Sequence, residues 1–283
     1  MRLTSPLRPP LQSAAVGVGA DEKKSALDPD GWTAFKLSHR EQLTHNTHLF
    51  RFDIPDNARA NLPVASCLLV KGKTTKEDGT PGVAIRPYTP TSPRDAEGYL
   101  ELVVKVYEQG QCSKYFGGLK EGDAVEMKGP IVKLPWEANK YKEVGMIAGG
   151  SGITPMLQVA DEVLSNPNDK TKMSLVFANV SEEDIILRDR IEALAKRHPE
   201  QFRVHYVVDK AAPGWKGGVG YLTEAILAAH MPKPTADGVM VFVCGPPPMM
   251  SAVSGNKVSP KDQGELKGLL AGMGYTASQV FKF

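Results

Sequence analysis

Cysteine is scarce in this chain: Cys67, Cys112 and Cys244 are the only three in 283 residues, widely spaced and without a CxxC pair. That argues against a structural zinc site or a disulfide framework and for a reducing compartment. No apolar run reaches the ~20 residues that a bilayer-spanning helix needs. Excess charge of one sign is missing too: the formal net charge is +2, far from the basic surplus of a nucleic-acid binder. The six histidines are scattered and offer no metal-ligand spacing. His45 and His48, three apart, read as surface or strand residues, and no Ser/His/Asp arrangement points to nucleophilic catalysis. What is present is an ordinary globular composition, 41% hydrophobic and 23% charged. The length allows two domains of ~100–200 residues.

Residues 1–31 read as a flexible tail or a targeting remnant. Up to Ala20 there are two arginines, two serines, three prolines and no acidic residue, a composition that resembles part of a mitochondrial transit peptide. Over residues 32–130 the strand signal dominates. His48–Ile54 alternates with period two. Ala65–Val70, Tyr99–Tyr107 and Ala124–Lys128 follow, separated by turn signals at Asp78-Gly79, Glu97-Gly98 and Gly122-Asp123. Short strands at this spacing predict an antiparallel barrel or sandwich. Ser113–Phe116 is expected to begin a short helix whose N–H groups suit an anion. Residues 131–143 form a proline-bearing connector. Over 144–283 strands and helices alternate: Val144–Ala148, a helix from Ile153 to Leu164, Met173–Phe177, a helix over Arg188–Arg197, Arg203–Val208, Val239–Val243 and a final helix over Gly264–Leu270. That alternation predicts a parallel sheet covered on both faces.

Three stretches carry chemistry. Arg86-Pro87-Tyr88-Thr89-Pro90 places a guanidinium, a flat ring and a hydroxyl on a proline-stiffened strand end, which suits a ligand that is part diphosphate and part heteroaromatic. An ordinary strand end is the plainer alternative. Gly149-Gly150-Ser151-Gly152 lies between a strand and a helix, where backbone N–H groups and a helix N-terminus face a pyrophosphate. Pro155 replaces the last glycine of the usual dinucleotide fingerprint, and a simple tight turn is the alternative. Cys244-Gly245-Pro246-Pro247-Pro248-Met249 ends the last long strand, and its three prolines are expected to form a rigid wall beside a flat ring. Asp209, just past Val208, can accept hydrogen bonds from a ribose diol and repel a 2′-phosphate; a solvated turn aspartate is the alternative.

In this order these stretches, with Val104-Lys105-Val106-Tyr107, Gly145–Met156, Phe177-Ala178-Asn179 and the ending Val280-Phe281-Lys282-Phe283, resemble the NADH-cytochrome b5 reductases within the ferredoxin-reductase-like flavoproteins. The resemblance covers about residues 33–283, and Ser254-Gly255 with Gln263-Gly264-Glu265 looks most like the mitochondrial-type members. It implies a β-barrel domain for FAD and an α/β parallel-sheet domain for NADH. It implies Arg86 on the FAD pyrophosphate, Tyr88 along the flavin, and Thr89 near the ring nitrogen that receives hydride. Val104, Lys105 and Tyr107 would line the flavin and ribityl side, Gly110 and Ser113 would hold phosphate, and Thr154 would face the rings. Asp209 would meet the adenosine ribose, and Cys244 with Pro246 the nicotinamide. Thr89, Thr154 and Cys244 are thus the expected catalytic positions. Pro87, Cys112, Gly149, Gly150, Gly152, Gly245, Met249 and Phe283 complete the expected cofactor contacts, with no metal. Where many relatives read Gly-Lys-Met-Ser this chain has Gly110-Gln111-Cys112-Ser113, so one cation is missing. The implied partner is cytochrome b5, met through Lys133, Lys140 and Lys142 of the connector. The implied place is the mitochondrial outer membrane or intermembrane space, or the cytosolic face of another membrane, with membrane association through a missing or modified N-terminus. An NADPH-using reductase for another acceptor and a non-catalytic nucleotide-binding module are the alternatives.

Overall fold

The computed structural model describes residues 24–55, 58–94 and 96–283. The tail reading therefore lies outside the described residues up to position 23. Residues 24–31, expected within that tail, lie against the first domain instead. Strand β1 (Lys24–Ser25) pairs in parallel with β4 (Ala58–Arg59), and Leu27 is buried in the core beneath it. The Asp28 carbonyl accepts from the Gly129 N–H at 3.1 Å.

The first domain is a six-stranded antiparallel sheet. It is built from β2 (Thr33–Thr44), β3 (Thr47–Asp53), β5 (Ser66–Thr75), β6 (Pro81–Tyr88), β7 (Tyr99–Lys105) and β8 (Ala124–Val132), in the order β6-β5-β8-β2-β3-β7. Alternation decides which face each strand buries: Phe50 and Phe52 of β3 and Leu100, Leu102 and Val104 of β7 all point into one core. Helix α1 (Gln111–Gly118) seals that core with Phe116, which is fully buried. The closed barrel expected from the strand spacing is not formed, because β6 and β7 remain unpaired edges. Pro81 and Pro87 deprive β6 of ladder donors, a habit of edge strands. The gap is bridged by the next segment instead: the Thr91 N–H donates to the Glu101 carbonyl at 2.9 Å, and Ser92 Oγ accepts from the Glu101 N–H at 3.2 Å.

The second domain is a six-stranded, all-parallel sheet. Its strands are β9 (Glu143–Gly149), β10 (Lys172–Asn179), β11 (Phe202–Val208), β12 (Gly218–Val219), β13 (Val239–Cys244) and β14 (Val280–Lys282), in the order β12-β11-β10-β9-β13-β14. Near-continuous apolar runs such as Val239–Val243 are required because both faces are covered. On one face Met146, Leu175 and Phe242 pack with α2 (Ile153–Ser165) and α3 (Arg188–Arg197). On the other, Ile147, Val176 and Val241 pack with α4 (Glu224–His230), α5 (Pro247–Val253) and α6 (Gly268–Gly272). From β9 the chain builds outward to β10, then returns to β13 on β9's other side. The strand order reverses there, and an open parallel sheet binds ligands at the carboxyl ends of its strands at such a point.

Three local expectations change. The connector begins later than residue 131, since Ile131 and Val132 continue β8. Pro247 and Pro248 open helix α5 rather than forming a wall; proline suits the first helical turn because those N–H groups lack intrahelical partners. The last helix starts at Gly268, after residues 255–267 run as an irregular loop. Among the described residues no helix is long and apolar enough to cross a membrane.

The domains share an apolar junction: Val64, Ala65 and Val103 of the first belong to the same buried cluster as Ala148, Ile153 and Leu157 of the second. Polar pins surround it. The Ser66 N–H donates to Gln158 Oε1 at 3.0 Å, and Arg94 pairs with Glu162 at 3.1 Å.

Candidate functional site

A cavity of about 870 Å³ opens along this junction. From the first domain come Arg86, Pro87, Tyr88 and Thr89 at the end of β6, Val104 and Lys105 at the end of β7, and Tyr107, Gly110, Cys112 and Ser113 around the start of α1. From the second come Gly152, Thr154, Cys244, Gly245 and Phe283. Residues more than 190 positions apart in sequence thus share one cleft. Among the described residues no aspartate or glutamate side chain lines it, whereas Arg86, Lys105, Lys133 and Lys257 do.

One end of the cleft is built by the start of α1. Ser113 Oγ accepts from the Tyr107 N–H at 3.2 Å, folding the 107–113 turn over the helix start. A Cβ on Gly110 would lie 2.1 Å from that same oxygen and 3.3 Å from the Tyr107 carbonyl, so a larger residue would push Ser113 Oγ out of this bond. Arg86 is exposed, and its Nη1 donates only to the neighbouring Ile85 carbonyl at 2.8 Å. Among the described residues no carboxylate pairs with it. Its remaining donors suit a diphosphate. Tyr88 stacks at a tilt on Phe116, centroids 5.1 Å apart. Burial raises its phenol well above the ordinary range and the Cys112 thiol raises it further, so the ring stays neutral.

The second domain contributes the turn after β9. Gly150 adopts φ +52°, and a Cβ on Gly152 would meet the Cys244 carbonyl oxygen at 2.1 Å. That close approach holds the ends of β9 and β13 together at the switch point. Thr154 Oγ1 donates to the Ser151 carbonyl at 3.2 Å and is largely buried. Burial raises the Tyr107 hydroxyl, which a hydrogen bond to Ser151 partly offsets, linking the two domains across the cleft. Burial pushes the Cys244 thiol up to about 12, so at neutral pH it is a neutral, small contact surface and not a nucleophile.

Five expected contacts, Gly149, Gly150, Pro246, Met249 and Asp209, lie outside the cavity. Gly149, Pro246 and Met249 pack on one another: a Cβ on Gly149 would sit 2.6 Å from the Met249 sulfur and 2.9 Å from Pro246 Cδ. Asp209 is exposed beyond β11, its N–H donating to the Asn179 carbonyl at 3.0 Å. Beside it stands Tyr221, 86% exposed, which follows Gly220, whose N–H donates to the Val208 carbonyl. Asn179 ends β10 on this same edge, buried, with neither Oδ1 nor Nδ2 partnered among the described residues. A carboxylate, a free aromatic face and an unsatisfied amide on one ligand edge fit a nucleoside.

Sequence reading missed Tyr221, Lys257, Ser259 and Cys67. Tyr221 carried a signal, as a lone aromatic between Gly220 and the start of α4. Lys257 and Ser259 carried none, because a loop outside any motif brings them to the cleft. The connector lysines separate: Lys133 lines the cleft, while Lys140 and Lys142 are exposed outside it.

Residues 34–136 match the family described as Oxidoreductase FAD-binding domain, and residues 146–255 match Oxidoreductase NAD-binding domain. NADH-cytochrome b5 reductase 2 of Emericella nidulans is 48% identical over 97% of this chain and 82% of its own length. The NADH-cytochrome b5 reductase-like protein of Arabidopsis thaliana is 47% identical over 92% of this chain and 79% of its own. Among solved structures, the cytochrome b5 reductase domain of Ulva prolifera nitrate reductase superposes with a TM-score of 0.80 at 34% identity, covering 92% of this chain and 99% of that one. Phthalate dioxygenase reductase, at 19% identity and a TM-score of 0.63 over 90% of this chain and 69% of its own, shares the fold.

Proposed function

The chain belongs to the NADH-cytochrome b5 reductase family, and we propose that it carries a hydride from NADH to FAD and then single electrons to cytochrome b5. One observation carries the reading: Arg86–Thr89 of the first domain and Ser151, Gly152 and Thr154 of the second line one cleft with cations and, among the described residues, no aspartate or glutamate side chain. FAD would be held by Arg86, Gly110 and Ser113 at its phosphates and by Tyr88, Thr89, Val104 and Lys105 along its rings. Bound there, it would supply the conversion of one two-electron transfer into two one-electron transfers. NADH would enter from the second domain, with its ribose at Asp209, its adenine on Tyr221 and its nicotinamide end toward Thr154 and Cys244. The protein's work is orientation and charge, since the neutral Cys244 thiol offers no nucleophile and hydride transfer needs none.

The test is a spectrum. The purified protein should be yellow, bleach with one equivalent of NADH in the absence of air, and then reduce added cytochrome b5 haem. A preparation that neither binds FAD nor bleaches with NADH would sink the reading and favour a non-catalytic nucleotide module. Asp209 speaks for NADH over NADPH, because a carboxylate there repels a 2′-phosphate.

For the acceptor, we place docking on Lys140 and Lys142, which are exposed on the connector. The acid-poor composition of residues 1–20 supports a mitochondrial address, which fractionation of cells expressing the full chain would test.

A further inference from the structure

Lys133 and Lys257 approach the cleft from different domains, the first just past β8 and the second in the loop after α5. Both line the cavity that also holds Arg86, Thr154 and Cys244. Lys257 Nζ donates to the Lys282 carbonyl at 2.9 Å. Lys133 hydrogen-bonds the Cys67 side chain, a thiol that burial keeps protonated. Neither amine has a carboxylate partner among the described residues. Lys282 adds a third ammonium behind them, its Nζ donating to the carbonyls of Gln263 at 2.7 Å and Glu265 at 3.0 Å. Burial lowers the Lys257 pKa, and the Lys133 charge lowers it further. At this end of the cleft the hydrogen-bond partners of Lys257 and Lys133 are neutral, and the Asp262 carboxylate acts only on Lys282 behind them. Half-buried charges of this kind are screened little by salt.

An uncompensated cation is costly beside neutral contents and stabilising beside an anion. The proposed reaction creates one. Hydride leaves NADH with two electrons and one proton, and NAD⁺ remains. Bound FAD would take up both electrons and the proton, gaining one unit of negative charge. We infer that Lys257, assisted by Lys133, holds that added negative charge and so sets the potential at which NADH reduces the flavin. The inference rests on the flavin reading above. It assigns Lys257 a role in electrostatics, distinct from pinning β14 through the Lys282 carbonyl.

Spectroelectrochemical titration of the FAD-loaded protein separates these roles. In Lys257→Gln the reduction equilibrium should become about tenfold less favourable, a drop of about 30 mV for a two-electron couple. Lys257→Arg keeps the charge and should restore most of the wild-type potential. Lys133→Gln should shift the potential in the same direction, by less, and Lys76→Gln on the remote β5–β6 hairpin should not shift it. A Lys257→Gln potential that coincides with wild type would overturn the inference. So would an equal shift in the Gln and Arg variants, which would mark the hydrogen bond to Lys282 as the cause. If Lys257→Gln does not fold, Lys133→Gln decides, and an unmoved potential there rejects the inference. Wild-type protein without flavin would instead overturn the reading on which all of this rests; full flavin content with unmoved potentials removes only the role of the lysines.

Discussion

Arg190 of α3 reaches across the domain junction and donates from Nη1 to the Thr91 carbonyl at 2.5 Å, two residues past Thr89. Its other arm pairs with Asp161 of α2. The same guanidinium thus ties both second-domain helices to the segment that follows the cleft-lining Arg86–Thr89 stretch. Arg190→Ala would leave the Asp161 carboxylate without its cation; burial already raises the pKa of that carboxyl. Stability should fall by about 1–3 kcal/mol, read as a shifted urea midpoint. The relation between the domains should loosen too, so hydride transfer from NADH should slow while flavin stays bound. Unchanged stability and unchanged transfer would show that the apolar junction alone holds the domains.

Arg86→Ala should release FAD. Charge-assisted hydrogen bonds contribute roughly 1.5–3 kcal/mol, so FAD affinity should fall about tenfold or more. Flavin retained through gel filtration at the wild-type level would take Arg86 off the diphosphate.

Asp209 and Tyr221 should separate in a two-cofactor assay. Asp209→Ser removes the charge that repels a 2′-phosphate and should move the NADH-to-NADPH ratio of kcat/KM by about tenfold or more. Tyr221→Ala removes a stacking face worth roughly 1–3 kcal/mol per base and should weaken both cofactors alike. A Tyr221 variant that changed the ratio, or an Asp209 variant that did not, would reverse these assignments.

Reduction of cytochrome b5 should slow with added salt, while reduction of a small neutral dye holds steady, because steering between charged surfaces fades once the Debye length shrinks to ~8 Å. Charge reversal at Lys140 and Lys142 should weaken the first reaction and spare the second. Equal responses would reduce these lysines to solvating groups on a linker.

Acid stability should carry a signature of two histidines. The rings of His205 on β11 and His230 at the end of α4 stack 3.7 Å apart at an interplanar angle of 14°. Burial lowers both pKa values, and the charge of His230 lowers that of His205 further. The folded state therefore resists protonation that the unfolded chain accepts near 6.5. Stability is unaffected by this pair above that value. It declines as pH falls through about 6.5 and levels off below the folded-state pKa values. Glu143, Lys172, Glu200 and Arg203 line the same small cavity and add their own charges, so the comparison is with His230→Leu. That variant should lose less stability than wild type between pH 7 and 5; parallel curves would clear the pair.

Much of this protein was legible in its sequence because local rules decide it. The period-two run around Phe50 and Phe52 can bury only one face, and it forms β3. Val239–Val243, apolar throughout, can only be a strand covered on both sides. The proline-bearing Arg86–Pro90 segment and the glycines at 149–152 stood out locally as candidate ligand contacts beside plainer strand-end and turn readings, and Arg86–Thr89, Ser151 and Gly152 do line the cleft. What local rules cannot reach is distance between remote segments. Whether the sheet closes depended on β6 and β7, which lie at opposite ends of the strand order, and prolines in β6 left the gap to be bridged by Thr91 and Ser92. Pro247 and Pro248 read as a wall because proline's stiffness is local; that they open a helix depended on where β13 ends. Lys257 bears no motif, and only the path of the 255–267 loop sets its ammonium against Lys133 of the other domain. Side-chain identity follows from sequence, but the field inside the cleft is a sum over charges that tertiary packing brings within a few ångströms of one another, and no spacing along the chain encodes that sum.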